Sequence, residues 1–271
     1  MSIFKDKLIN SCKLSDSFLC VGLDPDLQKM PISNVFEFCK TIVDSTSDVT
    51  AAYKPNLAFF EALGLEGLKA LKDLVDYIHM EYPEKLTIGD AKRGDIGSSS
   101  AKYAHALFDY WGFDSVTVNA FAGKDSIEPF LKYKDKGIFV WCKSSNPDGP
   151  QFQGEHDSKD DKLSLFENIA LSVSRWNKYG NLGLVVGATY PDDISRVRGL
   201  APGIPILIPG VGSQEGELEL SVSAALDLGS PNFLINSSRS IIYSSGDSVS
   251  FSDSAREAAT NLRNSINKYL N

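Results

Sequence analysis

The chain of 271 residues predicts an α/β fold in which one domain, residues 1–271, closes into a parallel barrel. Three observations carry that expectation. Strand-like and helical segments alternate strictly, eight of each kind of unit. The strands are apolar throughout, which is the pattern of strands covered on both faces. The length matches the roughly 250 residues that eight βα units need. A doubly wound open sheet is the other architecture compatible with the alternation.

Residues 3–13 have amphipathic spacing and read as a leading helix. Residues 18–23, Phe-Leu-Cys-Val-Gly-Leu, form the first strand and end at Asp24-Pro25. A helix over 33–44 leads to a second strand over 51–56, stopped at Pro55, which has no N–H to offer a ladder. The apolar spacing of 57–80 predicts one or two helices before a third strand over 85–92. A helix at 98–110, a strand at 115–120, a helix at 125–134 and a strand at 137–143 continue the alternation. Residues 144–160 are the one long irregular stretch, rich in Pro, Gly and Asp. A loop of that length in a compact domain is either functional or disordered. Then follow a helix at 162–179, strands at 182–189, 204–208 and 233–237 with helices at 192–199 and 215–228 between them, and a closing helix over 252–270. No linker, low-complexity run or repeat divides the chain, so the architecture expected is a (β/α)8 TIM barrel.

Composition narrows the function. Apolar residues make up 42% and charged residues 23%, an ordinary globular balance. The formal net charge of −8 argues against a binder of nucleic acid polymers, since no basic stripe offsets repulsion from phosphates. An anionic small molecule would need a local cluster of donors. Cys12, Cys20, Cys39 and Cys142 form no Cys-x-x-Cys pair, and with His79, His105 and His156 they show no metal-ligand spacing. They read as reduced thiols of a cytoplasmic chain. The first residues lack an apolar signal core and no run of about 18 apolar residues occurs, so no membrane association is expected.

Leu86-Thr87-Ile88-Gly89-Asp90-Ala91-Lys92-Arg93-Gly94-Asp95 starts as a buried strand and then sets charges where a core should continue. Alternation puts Asp90 and Lys92 on one face, with Asp95 just beyond, where the chain turns toward a helix. Buried opposite charges cost several kcal/mol per ion unless they pair well. Alone, such a motif is more often a solvated surface strand, and Asp24 before Pro25 or Lys54 before Pro55 could each be a turn or snorkelling residue. Their concurrence changes the reading. Asp24, Lys54, Asp90 and Lys92 end three consecutive strands, and the carboxyl ends of barrel strands are where reactive groups gather.

Across the barrel, Pro209-Gly210-Val211-Gly212-Ser213-Gln214 leaves strand seven and opens a helix, and Arg239 follows strand eight. Exposed backbone N–H groups, a helix start and a guanidinium suit a phosphate. They supply the donor cluster that an acidic protein needs for an anionic ligand. These residues by themselves describe a barrel enzyme for a small phosphate ester, with no Ser-His-Asp arrangement.

Asp90-Ala91-Lys92-Arg93-Gly94-Asp95-Ile96, together with Lys54 and Pro209-Gly210-Val211-Gly212, resembles the orotidine 5'-phosphate decarboxylase family over nearly the whole chain. Gly22-Leu23-Asp24-Pro25, Lys54-Pro55-Asn56 and Ser145-Asn146-Pro147 resemble its longer bacterial branch. The resemblance implies cofactor-independent and metal-free decarboxylation of orotidine 5'-monophosphate to uridine 5'-monophosphate, the last step of de novo UMP biosynthesis. It implies a catalytic set of Lys54, Asp90, Lys92 and Asp95, the last reaching into the other subunit's site of a homodimer. It further implies ribose contacts at Asp24 and, from the partner, at Ser99, where the family usually has threonine. Ser145 matches the pyrimidine-recognising serine. Gly210, Gly212, Gln214 and Arg239 match the phosphate contacts, and Ser238 stands where many members have glycine. Two other readings are a metal-dependent sugar-phosphate decarboxylase or aldolase of the same suprafamily, and a nucleotide-binding barrel without catalysis. The first would need further carboxylates at the end of strand two, where Lys54 stands.

Overall fold

The computed structural model describes residues 3–154, 163–211, 215–228 and 231–270. Eight strands, β1 (Leu19–Leu23), β2 (Ala52–Pro55), β3 (Leu86–Arg93), β4 (Ser115–Val118), β5 (Gly137–Lys143), β6 (Leu182–Val186), β7 (Ile206–Pro209) and β8 (Phe233–Ser237), form a closed barrel in sequence order. All neighbouring pairs are parallel, and β8 closes on β1 through Leu19 with Ile235, Cys20 with Asn236 and Val21 with Ser237. The TIM-barrel expectation holds and the open sheet is excluded.

Alternation along the strands separates two cores. Cys20, Ala52, Leu86, Ile88, Phe139, Val185, Leu207 and Leu234 fill the barrel interior, together with Phe4, Leu8 and Cys12 of the leading helix Ile3–Ser15. The other strand face packs against the helical ring in a larger cluster that includes Leu23, Phe38, Val116, Val140 and Ile235. Phe4 meets Phe139 edge-on, with centroids 5.9 Å apart, so the leading helix stoppers the end of the barrel opposite the strand tips. All four cysteines are free and buried. Among the described residues no helix is long and apolar enough to cross a membrane.

Several boundaries differ from the sequence expectation for local physical reasons. The segment 57–80 is two helices, Leu57–Glu61 and Gly64–Glu81, broken at a glycine with φ 65°. The helix expected over 98–110 runs as Gly97–His105 and continues as the π-helical turn Ala106–Tyr110. Strand six ends at Val186, although Gly187 N–H to Lys143 C=O and Ala188 N–H to Pro209 C=O still tie the next residues to the ends of β5 and β7. The helix expected from 162 begins at Leu165, where Ser164 and Glu167 form a capping box. Two short helices are added: Pro150–Gln153 within the long irregular stretch, and Arg239–Ile242 in residues to which the sequence assigns no element. Residues 155–160 of the long irregular stretch lie outside the described residues.

At the closed end, Asp114 ties β3, β4 and the leading helix together. Its carboxylate accepts the Thr87 N–H at 3.0 Å and the Thr87 hydroxyl at 3.1 Å, and pairs with Lys7 and His79. Burial opposes its ionisation, yet His79, Lys7 and Thr87 outweigh burial and hold the carboxyl well below the usual carboxylate range. A depressed folded pKa stabilises above the ordinary value of about 4, and the contribution is lost as pH falls through the folded value. Asp114→Asn is therefore expected to lower unfolding free energy at pH 7 by about 2–3 kcal/mol. Urea unfolding at several pH values should show that deficit narrowing below about pH 4.

Candidate active site

The strand tips of β1, β2 and β3 bring their charged residues to one mouth. Lys54 and Asp90 are 4% and 8% exposed, so water does little of the solvation there. Lys54 Nζ lies 2.7 Å from Asp90 Oδ2, and Lys92 Nζ lies 2.7 Å from Asp90 Oδ1. One carboxylate is thus shared by two ammonium groups. Such charge-assisted contacts are the strong kind, and removing a partner would leave a buried charge uncompensated.

A local irregularity in β3 aims this array. The β3–β4 register shifts between Gly89 and Arg93, and Lys92 has φ 47°, in the left-handed region that costs a residue with a side chain roughly 1–2 kcal/mol. Thr117 of β4 offsets that cost. Its hydroxyl oxygen accepts the Lys92 N–H at 2.9 Å and its O–H donates to Asp90 Oδ1 at 2.9 Å. Lys92 Nζ also stands 5.9 Å from the Trp141 ring centroid. Arg93 turns away to pair with Glu61 and to lie over Tyr103.

Electrostatics follow from this packing. Burial disfavours the Asp90 charge, but Lys54 and Lys92 together hold its carboxyl well below the usual carboxylate range. Burial alone would lower the Lys54 pKa; the negative charges of Asp90 and Asp24 outweigh it and raise the ammonium above its ordinary value. Asp24 is pushed up by burial, with the Lys54 charge and the Ser238 hydroxyl acting against the rise. Asp24 Oδ1 is buried with no hydrogen-bond partner among the described residues.

The donor end faces this array across one cavity of about 790 Å³, lined by Asp24, Lys54 and Asp90 on one side and Gly210 and Arg239 on the other. Gly210, with φ 83°, turns the chain out of β7, and Arg239 is exposed at the start of the short helix Arg239–Ile242. Ser145 sits between the tips of β6 and β7. A Cβ on Gly187 would meet Ser145 main-chain and side-chain atoms at 2.7–2.8 Å, so only glycine lets the two loops approach. Thr189 Oγ1 donates to Ser145 C=O at 3.1 Å, and Gln153 Oε1 accepts from the Ser144 N–H and hydroxyl at 2.9 and 3.0 Å. Gly212 and Gln214 lie outside the described residues.

Asp95 and Ser99 are placed apart from the array. The Asp95 carboxylate accepts its neighbour's Ile96 N–H at 2.7 Å, Ser99 is exposed on the helix Gly97–His105, and neither bonds to Lys54, Asp90 or Lys92 within the chain.

Thr117, Asn56 and Asn236 are residues of the mouth that pattern reading passed over. Thr117 left a signal, a hydroxyl set between Val116 and Val118 in a fully buried strand. Asn236 left another, an amide in register with Cys20 and Pro209 at the top of an apolar interior column. Asn56 makes an isolated bridge to Asp90 that only the folded register reveals.

Chemically, the mouth offers a preorganised ammonium, Lys92, beside a site of about nucleotide size, with anion donors at the far end. Among the described residues no group of three or more His, Cys, Asp or Glu is placed to hold a metal ion. The Asp90 oxygens, the deepest carboxylate in the mouth, are both engaged by ammonium groups.

Residues 17–252 match the sequence profile of the orotidine 5'-phosphate decarboxylase / HUMPS family. The chain is similar to an orotidine 5'-phosphate decarboxylase from Cupriavidus necator, with 42% identity over 98% of each protein. It is similar to another from an Azoarcus species, with 44% identity over 94% of each. The solved structure of Leishmania donovani OMP decarboxylase superimposes with a TM-score of 0.85 at 36% identity, covering 100% of this chain and 99% of that one.

The array makes a direct electrostatic prediction. In Asp90→Asn the larger of the two charges that raise Lys54 is gone while its burial remains. The Lys54 pKa is expected to fall, as read from the pH dependence of its 13Cε chemical shift, and an unchanged titration would remove Asp90 as the cause.

Proposed function

This chain belongs to the orotidine 5'-phosphate decarboxylase / HUMPS family, and from that membership and the two-ended mouth we infer that it converts orotidine 5'-monophosphate to uridine 5'-monophosphate and carbon dioxide, the last step of UMP biosynthesis. The observation that carries the reading is Asp90 held between Lys54 and Lys92 at one end of the cavity, with Gly210 and Arg239 at the other.

The roles follow from what each group can do. Loss of carbon dioxide leaves a carbanion at C6 of the pyrimidine, and a fixed ammonium in a poorly solvated mouth stabilises such charge without reorganising. Lys92 takes that part and then delivers the proton to C6. Asp90 sits near the departing carboxylate and keeps Lys92 aimed, while Lys54 holds Asp90. Asp24 contacts the ribose and Ser145 the pyrimidine. Gly210 and Arg239, with Gly212 and Gln214, hold the phosphate. The phosphate lies far from the breaking bond, so its binding energy serves orientation and loop closure. No step calls on a metal or organic cofactor.

We further propose a homodimer in which Asp95 and Ser99 of the partner subunit complete each site. Around these two residues Ile96 is 60% exposed, Phe121 87% and Tyr103 38%, an apolar surface suited to burial against a second copy. A cytoplasmic location fits an enzyme of this pathway with four free thiols.

The deciding assay follows orotidine 5'-monophosphate absorbance with and without excess chelator. Equal loss in both supports the reading. Loss abolished by chelator would favour the metal-dependent sugar-phosphate enzyme, and tight UMP binding without carbon dioxide release would favour a non-catalytic barrel.

Arg239→Ala is expected to lower kcat/KM by about 10³-fold, roughly 4 kcal/mol at about 1.4 kcal/mol per decade, and unchanged efficiency would remove the phosphate role. For the shared site, Lys92→Ala and Asp95→Asn enzymes, each inactive alone, should regain about a quarter of wild-type activity when mixed and allowed to exchange subunits, since half the dimers then carry one intact site. No recovery in a mixture shown to exchange would place Asp95 within its own subunit's site.

A further inference from the structure

Tyr243 directly follows the short helix that Arg239 opens, and its side chain reaches back to β1. Its hydroxyl donates to Asp24 C=O at 2.8 Å and accepts the Asp26 N–H at 2.6 Å, clamping the peptide groups on both sides of Pro25. Its own N–H bonds to Arg239 C=O at 3.1 Å, so the same residue is fastened to both ends of the cavity. The ring is stacked on Phe38, centroids 5.8 Å apart and planes 10° off parallel, and Phe38 in turn stacks on Phe251. The hydroxyl therefore sits on a rigid support.

Ser238, on the other side of Arg239, makes a second connection. A Cβ added to Gly22 would fall 1.8 Å from Ser238 Oγ, so the serine side chain lies directly over the β1 backbone, two residues before Asp24. Asp24 itself has a buried Oδ1 without a hydrogen-bond partner among the described residues. Beyond the Ser238 hydroxyl and the Lys54 charge, little within the described residues fixes the carboxylate, so its aim depends on the backbone that Tyr243 holds and on Ser238 itself.

We propose that Tyr243 is a positioning residue for Asp24 and that the turn from Ser238 to Tyr243 is a strut that couples phosphate binding at Arg239 to the aim of Asp24. The inference rests on the reading of Arg239 as a phosphate contact and Asp24 as a ribose contact. Phosphate held by Arg239 steadies the turn, the turn steadies Asp24-Pro25-Asp26, and the ribose meets a carboxylate already oriented.

The test is a double-mutant cycle on the full-length enzyme. Tyr243→Phe keeps the ring stack and removes both hydrogen bonds. It is expected to raise KM for orotidine 5'-monophosphate about tenfold, the scale of one or two lost hydrogen bonds, with kcat within about twofold. In an Asp24→Asn background the same change should cost almost nothing, because its target is gone. Equal penalties in both backgrounds, or no penalty in either, would overturn the strut while leaving the Asp24 assignment intact. An Asp24→Asn enzyme with wild-type efficiency would instead remove the ribose assignment and this inference with it. Should Tyr243→Phe fail to fold, hydrogen–deuterium exchange of the wild-type Asp26 amide gives a second reading. Saturating ribose 5-phosphate should slow its exchange severalfold, and an unchanged rate would overturn the coupling.

Discussion

The Asp90 carboxylate, closed in a barrel mouth and shared between two ammonium groups, is the interaction on which the rest of the site depends. An isolated charge at that depth is untenable, and removing one partner of such a pair typically costs about 3–5 kcal/mol. Lys54 comes from β2 and Asp90 and Lys92 from β3, with Thr117 of β4 bonded to Asp90 and to the Lys92 backbone. The array is stable only while three neighbouring strands keep their register. Pairing does not cancel its chemistry, because Lys92 is the more exposed of the two ammonium groups and can meet a ligand.

Barrel closure makes the second half of the site. β8 pairs with β1, so residues more than 200 positions apart become neighbours: Tyr243 with Asp24, and Ser238 with Gly22. The donors that suit a phosphate thus lie beside the acidic residue at the tip of the first strand, with the Lys54–Asp90–Lys92 array next in order. A nucleotide spanning the cavity would touch chemistry from both ends of the chain. The strained backbone at Lys92 belongs to the same logic, since strain retained at a site must be over-determined by its surroundings, here by the Thr117 hydroxyl.

The barrel was legible because its signal is periodic and repeated: apolar strands, alternating helices and enough length. Lys54, Asp90, Lys92 and Asp24 were legible because charges at strand ends violate the apolar pattern around them. What stayed hidden depends on register or on tertiary reach. The positive φ of the bulge falls on Lys92 rather than on a glycine, Thr117 looks like an ordinary strand threonine, and the Asn56–Asp90 bridge exists only once strands pair. The helix Arg239–Ile242 is too short for periodicity to detect, yet it displays Arg239 and carries Tyr243 behind it. Asp95 and Ser99 show the limit from the other side: within one chain they make no contact with the array, so pattern and single-chain geometry alone give them no part in it.

A crystal structure with UMP bound is the most direct measurement of a two-ended mouth with chemistry at the Asp90 end. The phosphate oxygens are expected within hydrogen-bonding distance of the Arg239 guanidinium and the Gly210 side of the cavity, with pyrimidine C6 facing Lys92 Nζ. A nucleotide bound in the opposite sense, its phosphate on Lys54 and Lys92, or bound outside this cavity, would contradict the account.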